Sequence, residues 1–171
     1  MKLSIKKICI LAVLAAAAAI LKNQTIYLTP ANKLILHNIP IFIVSIVFNP
    51  IYGIITVFIA DIASIITTPN WNPIWILPQL FWGVIPGLFF LKTKKITLTK
   101  LIVAEYLTYS LVSLSNSLLF WLTTDFITAV NRLPGSMLIL LIKAPIDIVL
   151  YHNLFVKFFN ERIIYLQNYL D

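Results

Sequence analysis

Apolar residues in this chain come in long blocks, neither alternating as in a half-buried strand nor striping one face as in a surface helix. The blocks cover residues 8–28, 34–48, 51–67, 74–91, 101–123 and 136–159. A helix that crosses a bilayer needs roughly 20 apolar residues, within a range of about 17–25. All the blocks except the short 34–48 reach or approach that length. Asn49-Pro50 separates the second from the third, and the basic stretch LKTKKITLTK follows the fourth. The pattern predicts an all-α integral membrane protein, a six-helix transmembrane bundle forming one domain over residues 1–171.

Composition agrees with this reading. Of 171 residues, 60% are hydrophobic and 11% charged, too few polar groups to cover a soluble core of this size. The net charge of +7 could suggest a nucleic-acid partner. The basic residues fall mostly between apolar blocks, however, where they mark cytoplasmic loops instead. Lys2, Lys6 and Lys7 before the first block, and Lys92, Lys94, Lys95 and Lys100 after the fourth, agree only if the span count is even. Six spans place both termini in the cytoplasm, with Lys157 and Arg162 also inside. The N-terminal ICILAVLAAAAAIL also fits a secretory signal peptide. Its removal would leave five spans and turn the basic loops outward, which argues for retention.

Candidate chemistry is sparse. A single cysteine, Cys9, excludes an internal disulfide and a cysteine-based metal site, and the chain has no Gly-rich phosphate loop and no HExxH. Neither cofactor nor metal is expected, and no enzyme. In TPNWNPIWILPQLFWGVIPGLFF, residues 68–90, four prolines and three tryptophans interrupt an otherwise apolar run. Proline removes a backbone donor and kinks a helix. In lipid such breaks survive only where protein or a water-filled cavity satisfies the freed carbonyls. Trp71, Trp75 and Trp82 fit either an aromatic belt at the outer interface or the walls of a cavity for a flat ligand. Asp61, Glu105, Asn116, Arg132, Lys143 and Asp147 are polar groups that face a bundle interior or a partner. Arg132, on the expected outward loop before the last span, and Lys143, within that span, could hold an anionic ligand's carboxylates. Arg132 could equally be a solvated loop charge, and Lys143 could pair with Asp147 one turn on. The run Ala15 to Ala19, with Ala12 a turn earlier, offers the small-residue pairs Ala12/Ala16 and Ala15/Ala19. These suit close helix packing, within the bundle or against another membrane subunit.

Several of these residues resemble a known family. Asn49-Pro50-Ile51-Tyr52-Gly53, then Ala60-Asp61, then Gly83-Val84-Ile85-Pro86-Gly87, Asn116-Ser117 and LIKAPIDIVL follow one another as in the substrate-binding S components of energy-coupling factor (ECF) vitamin transporters, folate-type members above all. The likeness runs from about Leu34 to Leu150. Asn49 stands where the family usually has Gly, and Leu77-Pro78-Gln79-Leu80 replaces a Thr-Leu-Ser run; both departures bear on the substrate. The resemblance implies a carrier that binds one vitamin, most simply folate, from outside and docks on a transmembrane scaffold with two ATPases. Ala12/Ala16 or Ala15/Ala19 would then be the Ala-x-x-x-Ala docking motif. Trp71, Trp75, Gln79, Trp82, Asn116, Arg132 and Lys143 would be the substrate contacts, with Arg132 and Lys143 facing the glutamate carboxylates. Pantothenate, riboflavin or a queuosine precursor is the alternative ligand. A small lipid-modifying enzyme would need clustered carboxylates or a nucleophile with a base, which the chain lacks. A pure assembly subunit would need only the alanine stripe.

Overall fold

The computed structural model describes residues 5–24, 26–29, 32–34, 36–67, 72–91 and 96–155. Among them are six α-helices: α1 (Ile5–Asn23), α2 (Asn38–Val47), α3 (Pro50–Thr67), α4 (Ile76–Phe90), α5 (Leu98–Thr123) and α6 (Phe126–Leu154). A 3-10 turn, Pro73–Trp75, leads into α4.

The helices start where the chain supplies caps. Asn49 Oδ1 accepts from the Ile51 and Tyr52 N–H groups at 2.9 and 3.2 Å, and Pro50 opens α3. Asn72 Oδ1 accepts from the Ile74 N–H at 3.0 Å, and Pro73 opens the 3-10 turn. An Asn cap followed by Pro at the first helical position is a start signal, because that N–H has no helical partner to lose. Pro78 lies in the first turn of α4, where the same holds. The prolines were expected to break this segment repeatedly; among the described ones only Pro86 lies inside the helix.

Two further differences from the sequence reading matter. Gln24 and Ile26–Leu28, expected to end the first span, lie outside the helix. Ile26–Thr29 (β1) and Asn32–Leu34 (β2) pair antiparallel, Ile26 opposite Leu34 and Tyr27 opposite Lys33. Strand-favouring Ile, Tyr and Thr suit a short hairpin better than a helix end; the bundle itself is made of the six α-helices. The last helix also starts ten residues earlier than expected, at Phe126 rather than 136. Asp125 caps it, its carboxylate accepting from the Thr128 N–H at 2.6 Å and the Thr128 hydroxyl at 2.7 Å. Those two bonds hold the exposed Asp125 carboxyl below its usual range.

Packing is inside out relative to a soluble protein. Glu105, Lys143, Asp147, Asp61 and Asn38 are buried, while Val13, Ile20, Ile62, Ile65, Leu138, Leu141, Ile142, Ile146 and Val149 are exposed. Charges turned inward under an aliphatic exterior are the arrangement lipid requires. By length and composition, Pro73–Phe90 and Phe126–Leu154 are able to cross a membrane; Asn38–Val47 and Pro50–Ile65 are shorter apolar helices. The short α2 runs through the centre, with Ile41, Phe42 and Val44 fully buried, and packs on α3 and α4. Helix α5 lies against α4 and α6, β2 reaches α6, and α1 packs on α3 and α2.

The α3–α4 crossing is set by glycines. A Cβ on Gly53 would meet the Gly83 carbonyl oxygen at 2.5 Å, and one on Gly87 would meet the Pro50 ring and nitrogen at 2.7 Å. Ser45 Oγ donates to the same Gly83 carbonyl at 2.5 Å, tying α2 into the crossing. The motif residues Pro50, Gly53, Gly83 and Gly87 are thus packing residues here.

Candidate ligand site

Helices α2, α4, α5 and α6 bring most of the candidate residues to one column, ordered from the α5–α6 connection inward. At that end Trp75 packs on Phe120, ring centroids 4.6 Å apart, and the Arg132 guanidinium sits 3.7 Å above the Phe120 ring centre. Because α6 begins at Phe126, Arg132 is on a helix rather than on the expected loop, and it is half-buried. A guanidinium on an aromatic face is held by the ring quadrupole. Asn116, half-buried, lies one turn further in on α5 than Phe120.

Deeper in the column, His37 Nε2 lies 3.3 Å from Gln79 Oε1, joining the start of α2 to α4. The buried Trp82 meets Tyr109 edge to face at 5.0 Å and Phe42 at 6.5 Å. Phe42 in turn stacks on Tyr151, centroids 4.3 Å apart and 5° from parallel. Trp75 and Trp82 therefore line the column at two depths. Trp71 lies outside the described residues.

Lys143 is fully enclosed and ion-paired with Asp147 one turn on. Its ammonium also donates to Asn38 Oδ1 at 3.1 Å, and Asn38 Nδ2 donates to Asp147 Oδ2 at 3.2 Å. Its charge is met inside the bundle. Of the two readings open for Lys143, pairing with Asp147 is the one this geometry favours, because a ligand carboxylate would have to displace a desolvated partner already in place. Glu105 is buried on the facing turn of α5, within Coulombic reach of Asp147 and Lys143. Elsewhere, Lys22 pairs with Asp61 and joins α1 to α3.

Sequence reasoning passed over Asn38, Tyr109, Phe120 and Tyr151. The i, i+4 ladders Glu105/Tyr109/Ser113 on α5 and Lys143/Asp147/Tyr151 on α6 were readable signals, since such positions share a helix face. Asn38 was not, because its partner Lys143 lies 105 residues away.

On α1 the alanines divide. Ala15 and Ala18 are buried against the bundle and Ala19 is half-buried, whereas Ala12 and Ala16 are exposed. No cluster of three or more metal-ligating side chains occurs among the described residues.

Comparison with known proteins gives a family and a structural likeness. The family model "ECF transporter, substrate-specific component" matches residues 6–165. Among solved structures, the chain is similar to one described as the crystal structure of FolT bound with folic acid. Identity is 24% over 91% of this chain and 96% of that one, with a TM-score of 0.71. No curated protein matches.

Proposed function

The chain belongs to the family of substrate-specific components of ECF transporters, and from that premise we propose that it captures a folate-type vitamin and passes it to an energising module. The observation that carries the ligand reading is the aromatic column with a cation at its mouth. Trp75 and Phe120 frame the entrance beside Arg132, and Trp82, Tyr109 and Phe42 form the depth. A long ligand with a flat heterocycle at one end and carboxylates at the other matches that polarity: rings stack on the indoles, and a guanidinium holds a carboxylate bidentately. The fold likeness to a folic-acid-bound protein supports the same choice.

In this reading Arg132 holds the glutamate end and Lys143 belongs to the bundle's internal framework. Asn116 and Gln79 offer hydrogen bonds along the column. The chain crosses the cell membrane six times with both termini cytoplasmic, so the Arg132 end opens outward. The exposed Ala12/Ala16 pair is the docking face for a transmembrane scaffold, which is coupled to two ATPases. As an integral membrane carrier it does no chemistry on its ligand.

Calorimetry with purified protein tests the reading. Folic acid should bind, and Arg132→Ala should weaken it by roughly 10- to 100-fold, the worth of one charge-assisted pair. Equal affinity of wild type and Arg132→Ala would remove Arg132 from the site. A different vitamin found on the purified protein by native mass spectrometry would keep the carrier and discard folate.

A further inference from the structure

Helix α1 is fastened to the bundle mostly by small side chains. Among its residues Lys7, Ala15 and Ala18 are buried, while Ile5, Ile8, Val13 and Ile20 are exposed. Helix α3, on which it packs, also buries small side chains: Thr56, Val57, Ala60 and Ser64. Packed helices take their register from ridges of side chains seated in grooves. An alanine ridge is shallow, so it lets two backbones approach closely while resisting sliding and rotation only weakly. One contact between these helices is directional instead. Lys22, in the last turn of α1, pairs with Asp61 on α3; the Lys22 side chain is 15% exposed and that of Asp61 2%. Lys22 follows Ala18 by one turn and Ala15 by two, which puts it on the buried face of α1.

Away from water an ion pair is stronger than at a surface, and a single long side chain reaching a fixed carboxylate tolerates little displacement of either helix. We propose that Lys22–Asp61 is the clasp that fixes the register of α1 on the bundle, with Asp61 as its positioning residue. The clasp thereby sets the angle at which the exposed Ala12/Ala16 face meets the transmembrane scaffold. Neither partner lies on a helix of the ligand column, so the pair acts on delivery and not on capture. Asp61 Oδ1 holds the Lys22 ammonium, and Asp61 Oδ2, also buried, takes no hydrogen bond. An arginine, whose fork can bond both oxygens, therefore serves at position 22 where a neutral side chain does not. The inference rests on the docking face proposed above and adds the residue that holds that face in place.

The test reads register and delivery separately. For register, spin labels are placed on Cys9 of α1 and on Leu88→Cys of α4, both exposed positions, and pulsed EPR measures the distance between them. Wild type and Lys22→Arg should give one narrow distribution, and Asp61→Asn should broaden or shift it. An unchanged distribution in Asp61→Asn overturns the proposal, whatever the ligand or partner. For delivery, Asp61→Asn should weaken association with the scaffold and its ATPases by about 5- to 100-fold at unchanged folic acid affinity, and Lys22→Arg should keep it. Full association in Asp61→Asn, or a parallel loss of folic acid affinity, overturns the positioning role. Ala16→Leu is measured alongside. If it too associates fully, the docking reading fails and the delivery half of the proposal falls with it, while the EPR distances still decide the clasp. If wild type does not bind folic acid, the folate reading fails separately, and association and distance decide as before. Should Asp61→Asn not fold, Lys22→Met with Asp61→Leu, which removes both charges and fills the space with apolar groups, replaces it under the same criteria.

Discussion

Gly83→Ala should be among the most disruptive single-methyl changes in the bundle. A Cβ at Gly83 would lie 2.6 Å from the Gly53 carbonyl carbon and 2.7 Å from the Ile54 nitrogen, where ordinary contact begins near 3.4 Å. Both obstacles are backbone, so no rotamer change relieves them. Helices α3 and α4 must instead part by roughly 0.8 Å, the difference between those distances. Overpacking of this kind costs about 1–3 kcal/mol. The shift also pulls the Gly83 carbonyl from the Ser45 hydroxyl, a bond worth about 0.5–1.5 kcal/mol. A total of about 2–4 kcal/mol lowers the melting temperature by roughly 5–12 °C for a chain of this length. Fluorescence-detected size-exclusion melting in detergent measures it, with Ser45→Ala isolating the hydrogen-bond share. Because Gly53 and Gly83 share one contact, Gly53→Ala on top of Gly83→Ala should add less than its own single effect. A Gly83→Ala protein melting within a degree of wild type would refute the close-crossing argument.

Three further outcomes are expected. Lys143→Met strands the buried Asp147 carboxylate and should destabilise by about 3–5 kcal/mol, whereas Lys143→Met with Asp147→Leu should recover most of the loss in the same melting assay; equal losses in both would dismiss the pair. Ala16→Leu should leave folding and ligand binding intact but abolish co-purification with the scaffold subunit, whereas Ala18→Leu, at a fully buried position, should damage folding itself. Asp125 has a folded-state pKa below its unfolded one, so its contribution is present above the ordinary Asp value near 3.9 and is lost as pH falls through the lowered folded value. Amide protection at Thr128 should therefore drop in acid for wild type and stay flat for Asp125→Asn.

What the sequence made legible follows from which forces are local. Block length and hydropathy located all six helices, because a bilayer-facing helix must be apolar over its own length. Helix starts were misjudged where a cap outweighed hydropathy. The Asp125–Thr128 cap is written in TTDFIT, yet the apolar pattern led to a start ten residues later, so Arg132 was assigned to a loop. The hairpin Ile26–Thr29 with Asn32–Leu34 was hidden in the same way, since IYLT is as apolar as the end of a helix. Lys143 was undecidable from spacing, because a ligand and Asp147 compete for the same ammonium. Asn38, contributed by a distant part of the chain, tips the balance by binding both members of the pair.

The separation of surfaces bears on how a carrier could change its ligand while keeping its module. The column is built from α2, α4, α5 and α6, whereas the exposed Ala12/Ala16 pair lies on α1, which packs on α3 and α2. Helix α3 connects the two sides, through the Lys22–Asp61 pair toward α1 and the Gly53–Gly83 crossing toward α4. Substitutions at Trp75 or Arg132 therefore alter the column from helices other than the one that carries the proposed docking face. A rigid crossing between the two also means that a force applied to α1 moves α4 with it, since backbone packed on backbone has no side chains through which to slip. On that argument loosening the crossing with Gly83→Ala should reduce transport more than it reduces ligand affinity. Affinity and transport falling in the same proportion would instead assign the crossing to stability alone.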